Sequence, residues 1–223
     1  MKSLSSHLRF GCVGVVKTFR WPVEVFSMNQ RDRVTKLAKT DFASAFKLAC
    51  SITDVREKIQ SLGWVARYAP AADVRRVVAT ADKTAGTSTN FYADTMALAW
   101  PLRALHETEH GNLIPPLLKT AVQLAADVHP AASHAEALVL LINAVLPHSL
   151  QTAEPAIAAL KSIATDSHWR VVRALTDVAL LVNAFDRQSA TDLASAISVE
   201  NKRRSTLDRI SAGETMQPRP FFW

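Results

Sequence analysis

Residues 168–199, HWRVVRALTDVALLVNAFDRQSATDLASAISV, read as two helices folded back to back. The first half sets Trp169, Val172, Leu175, Ala179, Val182 and Phe185 at spacings of three and four, and Val171, Val178 and Leu181 widen the stripe. Recurrence at the 3.6-residue turn makes a helix with one apolar side. A stripe this broad cannot be covered by one neighbour, so the helix is expected between two others. Asp186-Arg187-Gln188-Ser189 makes the polar turn. Ser189 or Thr191 is expected to cap the second helix, whose apolar face continues through Leu193, Ala196 and Ile197.

Related hairpins lie upstream. Residues 133–166 place Leu138, Leu141, Ile142 and Val145 before a break at Pro147-His148-Ser149, then Ile157, Leu160 and Ile163 after it. Phe91 to Val128 holds another, with Met96, Leu98, Ala99, Leu102 and Leu105 in its first helix and Pro101 expected to kink it. Gly111 and Asn112 end that helix, and Pro115-Pro116 suit the first turn of the next. Thr53 to Ala85 is the earliest clear hairpin: Thr53 or Asp54 caps a helix carrying Val55, Ile59, Leu62, Val65, Ala66 and Ala69. Pro70-Ala71-Ala72-Asp73 turns the chain into Val74, Val77, Val78 and Ala81. Upstream of these, Val34, Leu37, Ala38, Phe42, Ala45, Phe46 and Ala49 predict a capping helix over residues 29–50 with its bases facing solvent.

Trp64 with Arg67 recurs as Trp100 with Arg103, 36 residues on, and Trp169 with Arg173 follows 69 residues further. Paired helices with a period in the thirties, and Pro or Asp at their turns, resemble HEAT-like α-solenoid repeats over residues 53–199. The expected fold is all-α: about four helical hairpins and a capping helix stacked as a short HEAT-like solenoid, with a compact helical bundle as the structural alternative.

Composition agrees with helix. Six glycines are few for 223 residues, and a hydrophobic content of 48% suits a packed core rather than a disordered chain. Two cysteines, Cys12 and Cys50, make neither a disulfide framework nor a four-ligand zinc site, so a reducing, cytoplasmic setting is the expectation. No apolar run reaches the roughly 18–20 residues that span a bilayer. The net charge of +6 is concentrated at the ends: residues 1–27 carry four bases against one acid, residues 28–50 five against two, and residues 200–223 five against three. Residues 51–199 hold twelve bases against fourteen acids, which weakens a nucleic-acid reading of the body.

Residues 1–27 are acid-poor and broken by Gly11 and Gly14. Lys17 interrupts the apolar centre that a secretory signal would need. A transit segment, or a start placed before a true beginning at Met28, are the two readings. The domain is expected to span 28–200, followed by a basic and then Pro- and aromatic-rich tail over 201–223. The closing Phe221-Phe222-Trp223 is costly to leave in water. Such a tail folds back over the last repeat's groove or docks in a partner.

Two motifs suggest chemistry. His106-Glu107-Thr108-Glu109-His110 spells H-E-x-x-H and resembles the zincin metallopeptidase motif. That resemblance would make His106 and His110 metal ligands and Glu107 the general base. Glu109 is charged where the motif favours an uncharged residue, and Gly111 follows at once, placing the motif in a fraying last turn. The segment LGWVARYAPAADVRRVV, residues 62–78, resembles a repeat of the helical DNA glycosylases for alkylated bases. That resemblance implies a nucleic-acid surface of Trp64, Arg67, Arg75, Arg76, Trp100, Arg103, Trp169, Arg170 and Arg173, stacking on bases or pairing phosphates. The plainer reading has the tryptophans fill space between hairpins and the arginines pair with acids such as Asp54, Glu57 and Asp94. Neither a glycine-rich phosphate loop, a G-x-S-x-G elbow, a Cys-x-x-Cys pair nor a dinucleotide fingerprint occurs, so no cofactor is expected. The function these readings favour is non-enzymatic: an interaction or scaffold module holding a protein partner on a concave helical face. Nucleic-acid binding is the alternative, and a zinc hydrolase comes third.

Overall fold

A computed structural model describes residues 29–222. The expectations for residues 1–27, and for Trp223, lie outside the described residues. Among the described residues the chain is all-helical, without strands: α1 (Gln30–Ala38), α2 (Phe42–Ser51), α3 (Val55–Tyr68), α4 (Ala71–Thr84), α5 (Phe91–Glu107), α6 (Ile114–Ala126), α7 (Ala131–Val145), α8 (Leu150–Ser162), α9 (Trp169–Val182), α10 (Arg187–Ser195) and α11 (Glu200–Ser211). A short 3-10 turn, Gly111–Leu113, precedes α6.

The helices form two rows. The odd-numbered ones pack in sequence, α1 on α3, α3 on α5, α5 on α7, α7 on α9 and α9 on α11. The even-numbered ones lie along their outer side, each against the odd helices before and after it, and α4 touches α6 as α6 touches α8. Burial patterns explain the division. Helix α4 buries Val74, Val77, Val78 and Ala81, α6 buries Ile114, Leu117, Leu118, Ala121 and Ala125, and α8 buries Ala153, Ala156, Ile157 and Leu160. Each is a single stripe at helical spacing, enough for a surface helix. Helix α7 buries ten residues and α9 nine, because each of these two has even helices behind it and an odd neighbour on both flanks.

The 168–199 hairpin is present as α9 and α10, and α9 does sit between neighbours, α7 on one side and α11 on the other. Its two outermost aromatics depart from the expectation: Trp169 is 61% exposed and Phe185 49% exposed. Trp169 is the first residue of α9, and Phe185 lies in the turn beyond its last residue, Val182. Neither Ser189 nor Thr191 caps α10. Asp186 does, its carboxylate accepting from the Ser189 amide at 2.7 Å. Asp54 caps α3 in the same way through the Glu57 amide, and Asn90 and Ser149 cap α5 and α8. Helix α4 begins at Ala71, so the turn before it is shorter than the sequence suggests. Helix α5 runs unbroken through Pro101.

Two boundaries change. Residues 29–50 form two helices, because Asp41 accepts from the Ser44 amide and starts α2 anew, so the capping element is a hairpin of its own. Residues 200–211 form α11 rather than tail, with Thr206 and Ile210 buried against the row. The helix ends in a left-handed cap: the Gly213 amide donates to the Ile210 carbonyl and the Glu214 amide to the Arg209 carbonyl, with Gly213 at φ +79°. A positive φ beyond a helix end suits glycine, which has no Cβ to clash.

Candidate functional site

The candidate site lies on the face of the odd-helix row, and one close approach organises it. A Cβ on Gly63 would stand 2.7 Å from the Trp100 Cβ and 2.9 Å from the Pro101 nitrogen. Glycine there lets α3 and α5 come together backbone to backbone. Trp64 and Trp100, each the tenth residue of its helix, are thereby brought to equivalent places. Trp169 is the first residue of α9, so the apparent third repeat of the tryptophan is out of register.

Arg67 and Arg103 follow their tryptophans by one turn and converge on one carboxylate. Arg67 Nε lies 2.9 Å from Glu107 Oε2 and Arg103 Nε 2.8 Å from Oε1. Each oxygen thus holds one guanidinium, an arrangement that offsets half of the charge these two arginines could offer a phosphate and ties up a donor of each. Asp54, Glu57 and Asp94, the acids expected to pair with the arginines, are not the partners. Asp54 caps α3, and buried Asp94 accepts from the Gly86 amide and the Ser88 hydroxyl, closing the loop ahead of α5.

The C-terminal segment crosses this face. Arg209 forms a doubly bonded ion pair with Glu214, which holds that carboxyl below the usual range. Asn183 Nδ2 donates to the Glu214 carbonyl at 2.8 Å. The Met216 amide donates to the Leu180 carbonyl of α9 at 3.1 Å, and the Arg219 amide to Asn143 Oδ1 of α7 at 2.9 Å. Phe221, 3% exposed, stands edge-on to Trp100 of α5 with ring centroids 5.4 Å apart. Phe222 stands edge-on to Trp64 of α3 at 4.8 Å, under the Arg67 guanidinium 4.7 Å from its centroid. The segment therefore runs backwards over α9, α7, α5 and α3. About three extended residues, near 3.3–3.6 Å each, match the 8–10 Å between packed helices. Of the two readings of the tail, folding back is the one present for Phe221 and Phe222, and it carries them past the last repeat to α5 and α3. Burying one such ring contributes about 1.5–3 kcal/mol, and an edge-to-face pair roughly 0.5–1.5 kcal/mol more.

Beside this strap the row is open. A cavity of about 210 Å³ lies between α5, α7 and α9, floored by Met96, Val139 and Leu140 and walled by Arg170, Arg173 and Arg219. A second, of about 490 Å³, lies between α9 and α11 near Val172, Arg173, Lys202 and Thr206. Trp169 borders both. Tyr92 donates to Glu136 Oε2 at 3.2 Å, and burial together with the Glu136 charge pushes its phenol pKa up. Glu136 also receives Arg170 at 3.5 Å, and Arg173 lies 3.6 Å from Asp177.

Of the nine residues singled out in the sequence, seven lie on odd helices. Arg75 and Arg76 belong to α4 in the other row, where Arg76 pairs with Asp73 at 2.8 Å and covers the Phe46 ring at 4.9 Å. The metal-binding reading of the H-E-x-x-H stretch loses its geometry. Helix α5 ends at Glu107, and Glu109 takes φ +59°, so His106 and His110 do not share a helical face. Glu107 is held by two arginines, and His106 meets His148 edge-on at 6.0 Å. Burial and the nearby Arg103 hold the His106 pKa below its ordinary value. Among the described residues no group of three His, Cys, Asp or Glu is placed to hold a metal ion. Burial pushes the Cys50 thiol pKa up, against the opposing pull of Lys58 and Arg76.

Sequence reasoning missed Asn143. It is 2% exposed inside an apolar helix, with Nδ2 donating to the Val139 carbonyl and Oδ1 accepting from the strap. A lone asparagine within LVLLINAVL was the available signal. No described helix is long and apolar enough to cross a membrane. No protein-family model, curated protein or solved structure matches the chain.

Proposed function

We propose that this chain is a non-enzymatic interaction module of HEAT-like helical hairpins, binding an extended segment of a protein partner along the face of its odd-helix row. The observation that carries this is Trp169: a large aromatic left 61% exposed at the border of two open clefts, one with Met96, Val139 and Leu140 at its floor and the other with Val172 and Val199, both rimmed by charged side chains. Exposed tryptophan flanked by arginine is the composition of an interface anchor. Arg170 and Arg173, each beside an acid, add orientation rather than a strong field. A photo-crosslinking residue at position 169, compared with one at position 75 in the other row, tests it. Crosslinking to one discrete protein from 169 alone is the expected outcome. Equal or no crosslinking at both positions would sink the reading.

Nucleic acid is the second reading, favoured by the gathering of Arg173, Lys202 and Arg209 around the larger cleft next to Trp169. Asp177 in the same cleft and the Arg209–Glu214 pair count against it. Binding of labelled single-stranded and duplex DNA across a salt series decides: affinity falling steeply with salt, and weakened by Lys202→Ala, would favour this reading over the protein partner.

A further inference from the structure

The strap is built like a bound ligand rather than like the end of a domain. We propose that the groove over Trp64 and Trp100 is a receptor for an extended proline–aromatic–aromatic peptide, and that residues 214–222 are its resident occupant, displaced when a partner peptide of the same chemistry arrives. This rests on reading the odd-helix row as an interaction face.

Three features set the chemistry. Pro218 and Pro220 have no amide N–H, so between them only the Arg219 amide can donate, and it meets Asn143 Oδ1 at 2.9 Å. One donor position flanked by prolines fixes the register of the peptide on α7 and leaves few amides to satisfy on a helix surface that offers few acceptors. Next, Phe221 and Phe222 take separate sites: Phe221 is buried against Trp100, and Phe222 lies between Trp64 and the Arg67 guanidinium. Arg67 is held in place for that by Glu107, so an aromatic ring is favoured there over an aliphatic side chain. Finally, attachment to the body is spare. Among the described residues, the backbone between Glu214 and Phe222 is anchored at Glu214, Met216 and Arg219 alone, and no described atom lies within 4 Å of where a Gly213 Cβ would stand. The two prolines stiffen the segment in its extended form, which lowers the entropy lost on docking.

The test uses the unmodified full chain and a synthetic peptide of residues 214–223, ETMQPRPFFW. Because the tethered strap competes at an effective concentration on the order of millimolar, the peptide is added at that level or above. Amide hydrogen exchange at Arg219 of the protein is expected to speed up at least tenfold as peptide replaces strap, while the α5 and α7 amides keep their protection. A peptide with both phenylalanines changed to alanine should leave exchange unaltered. A labelled wild-type peptide should bind the full chain carrying Phe221→Ala and Phe222→Ala at least tenfold more tightly than the unsubstituted chain. Unchanged Arg219 exchange with the wild-type peptide, or equal effects of the two peptides, would overturn the proposal. Crosslinking from position 169 reads the open half of the face without the strap, so the two ideas fail separately.

Discussion

Asn143 shows how a single residue ties a terminus to the body. Its side-chain amide is buried with both ends used, one by its own helix and one by the strap. Asn143→Leu keeps the volume and removes the acceptor, leaving the Arg219 amide without a partner at a cost of about 1–3 kcal/mol if it stays buried. The expected result is release of the strap: faster exchange at Arg219 and Met216, with the helical circular dichroism retained. Loss of global helicity instead would mean that Asn143 serves the core and not the strap. Histidines act at the same scale. Burial lowers the pKa of His106, with Arg103 and His148 adding to it, and burial lowers that of His134, with His129 adding to it. In the native state both therefore bind fewer protons than in the unfolded chain between their depressed values and about 6.5. Stability rises with pH wherever the unfolded state binds more protons, so these two groups add nothing above about pH 6.5 and weaken the fold as pH falls below it. Urea midpoints at pH 7.5 and 5.5 check this. His106→Gln and His134→Gln together should flatten the difference.

At the scale of the element, the α3–α5 contact is the point of greatest constraint. The atoms that a Gly63 Cβ would meet include the Trp100 carbonyl carbon and the Pro101 nitrogen, backbone groups with no flexible end to give. Overpacking costs about 1–3 kcal/mol, and alanine's better helix propensity returns only about 1 kcal/mol. Gly63→Ala should accordingly lower the melting temperature, although the same substitution stabilises an exposed helix. It should also quench or shift the Trp64 and Trp100 fluorescence, since their helices must separate. A raised melting temperature would show that the close approach is slack. Pro101 removes one backbone donor within α5, and the helix continues past it with α3, α6 and α7 packed against it.

Over the described molecule, contacts pass from each odd helix to the next, so each helix of that row is supported mainly by its neighbours. The strap breaks that rule by linking α9 with α7, α5 and α3. Phe221→Ala, a change in the strap and outside every helix, should therefore reduce amide protection in α3 and α5, not merely in the strap. Protection lost only within residues 212–223 would show that the strap carries no load between hairpins.

Helix and hairpin were legible in the sequence because they depend on local order: apolar residues at three- and four-residue spacing, and breaks at Pro, Gly and capping side chains. The same local signals placed α3 to α10 within a few residues, and failed where a side chain had two available roles, as with Asp186 against Ser189. What tertiary structure alone decided is which residues meet. The Trp–Arg repetition suggested a surface of nine residues, yet Glu107 takes up Arg67 and Arg103, α4 carries Arg75 and Arg76 away, and Trp169, Arg170 and Arg173 are the ones left exposed on the odd-helix row. Spacing along a chain says which face a residue occupies, but not whether an acid 40 residues away will neutralise it. Nor can it say that a tail will return across four helices, since that depends on a groove which exists only after they have packed.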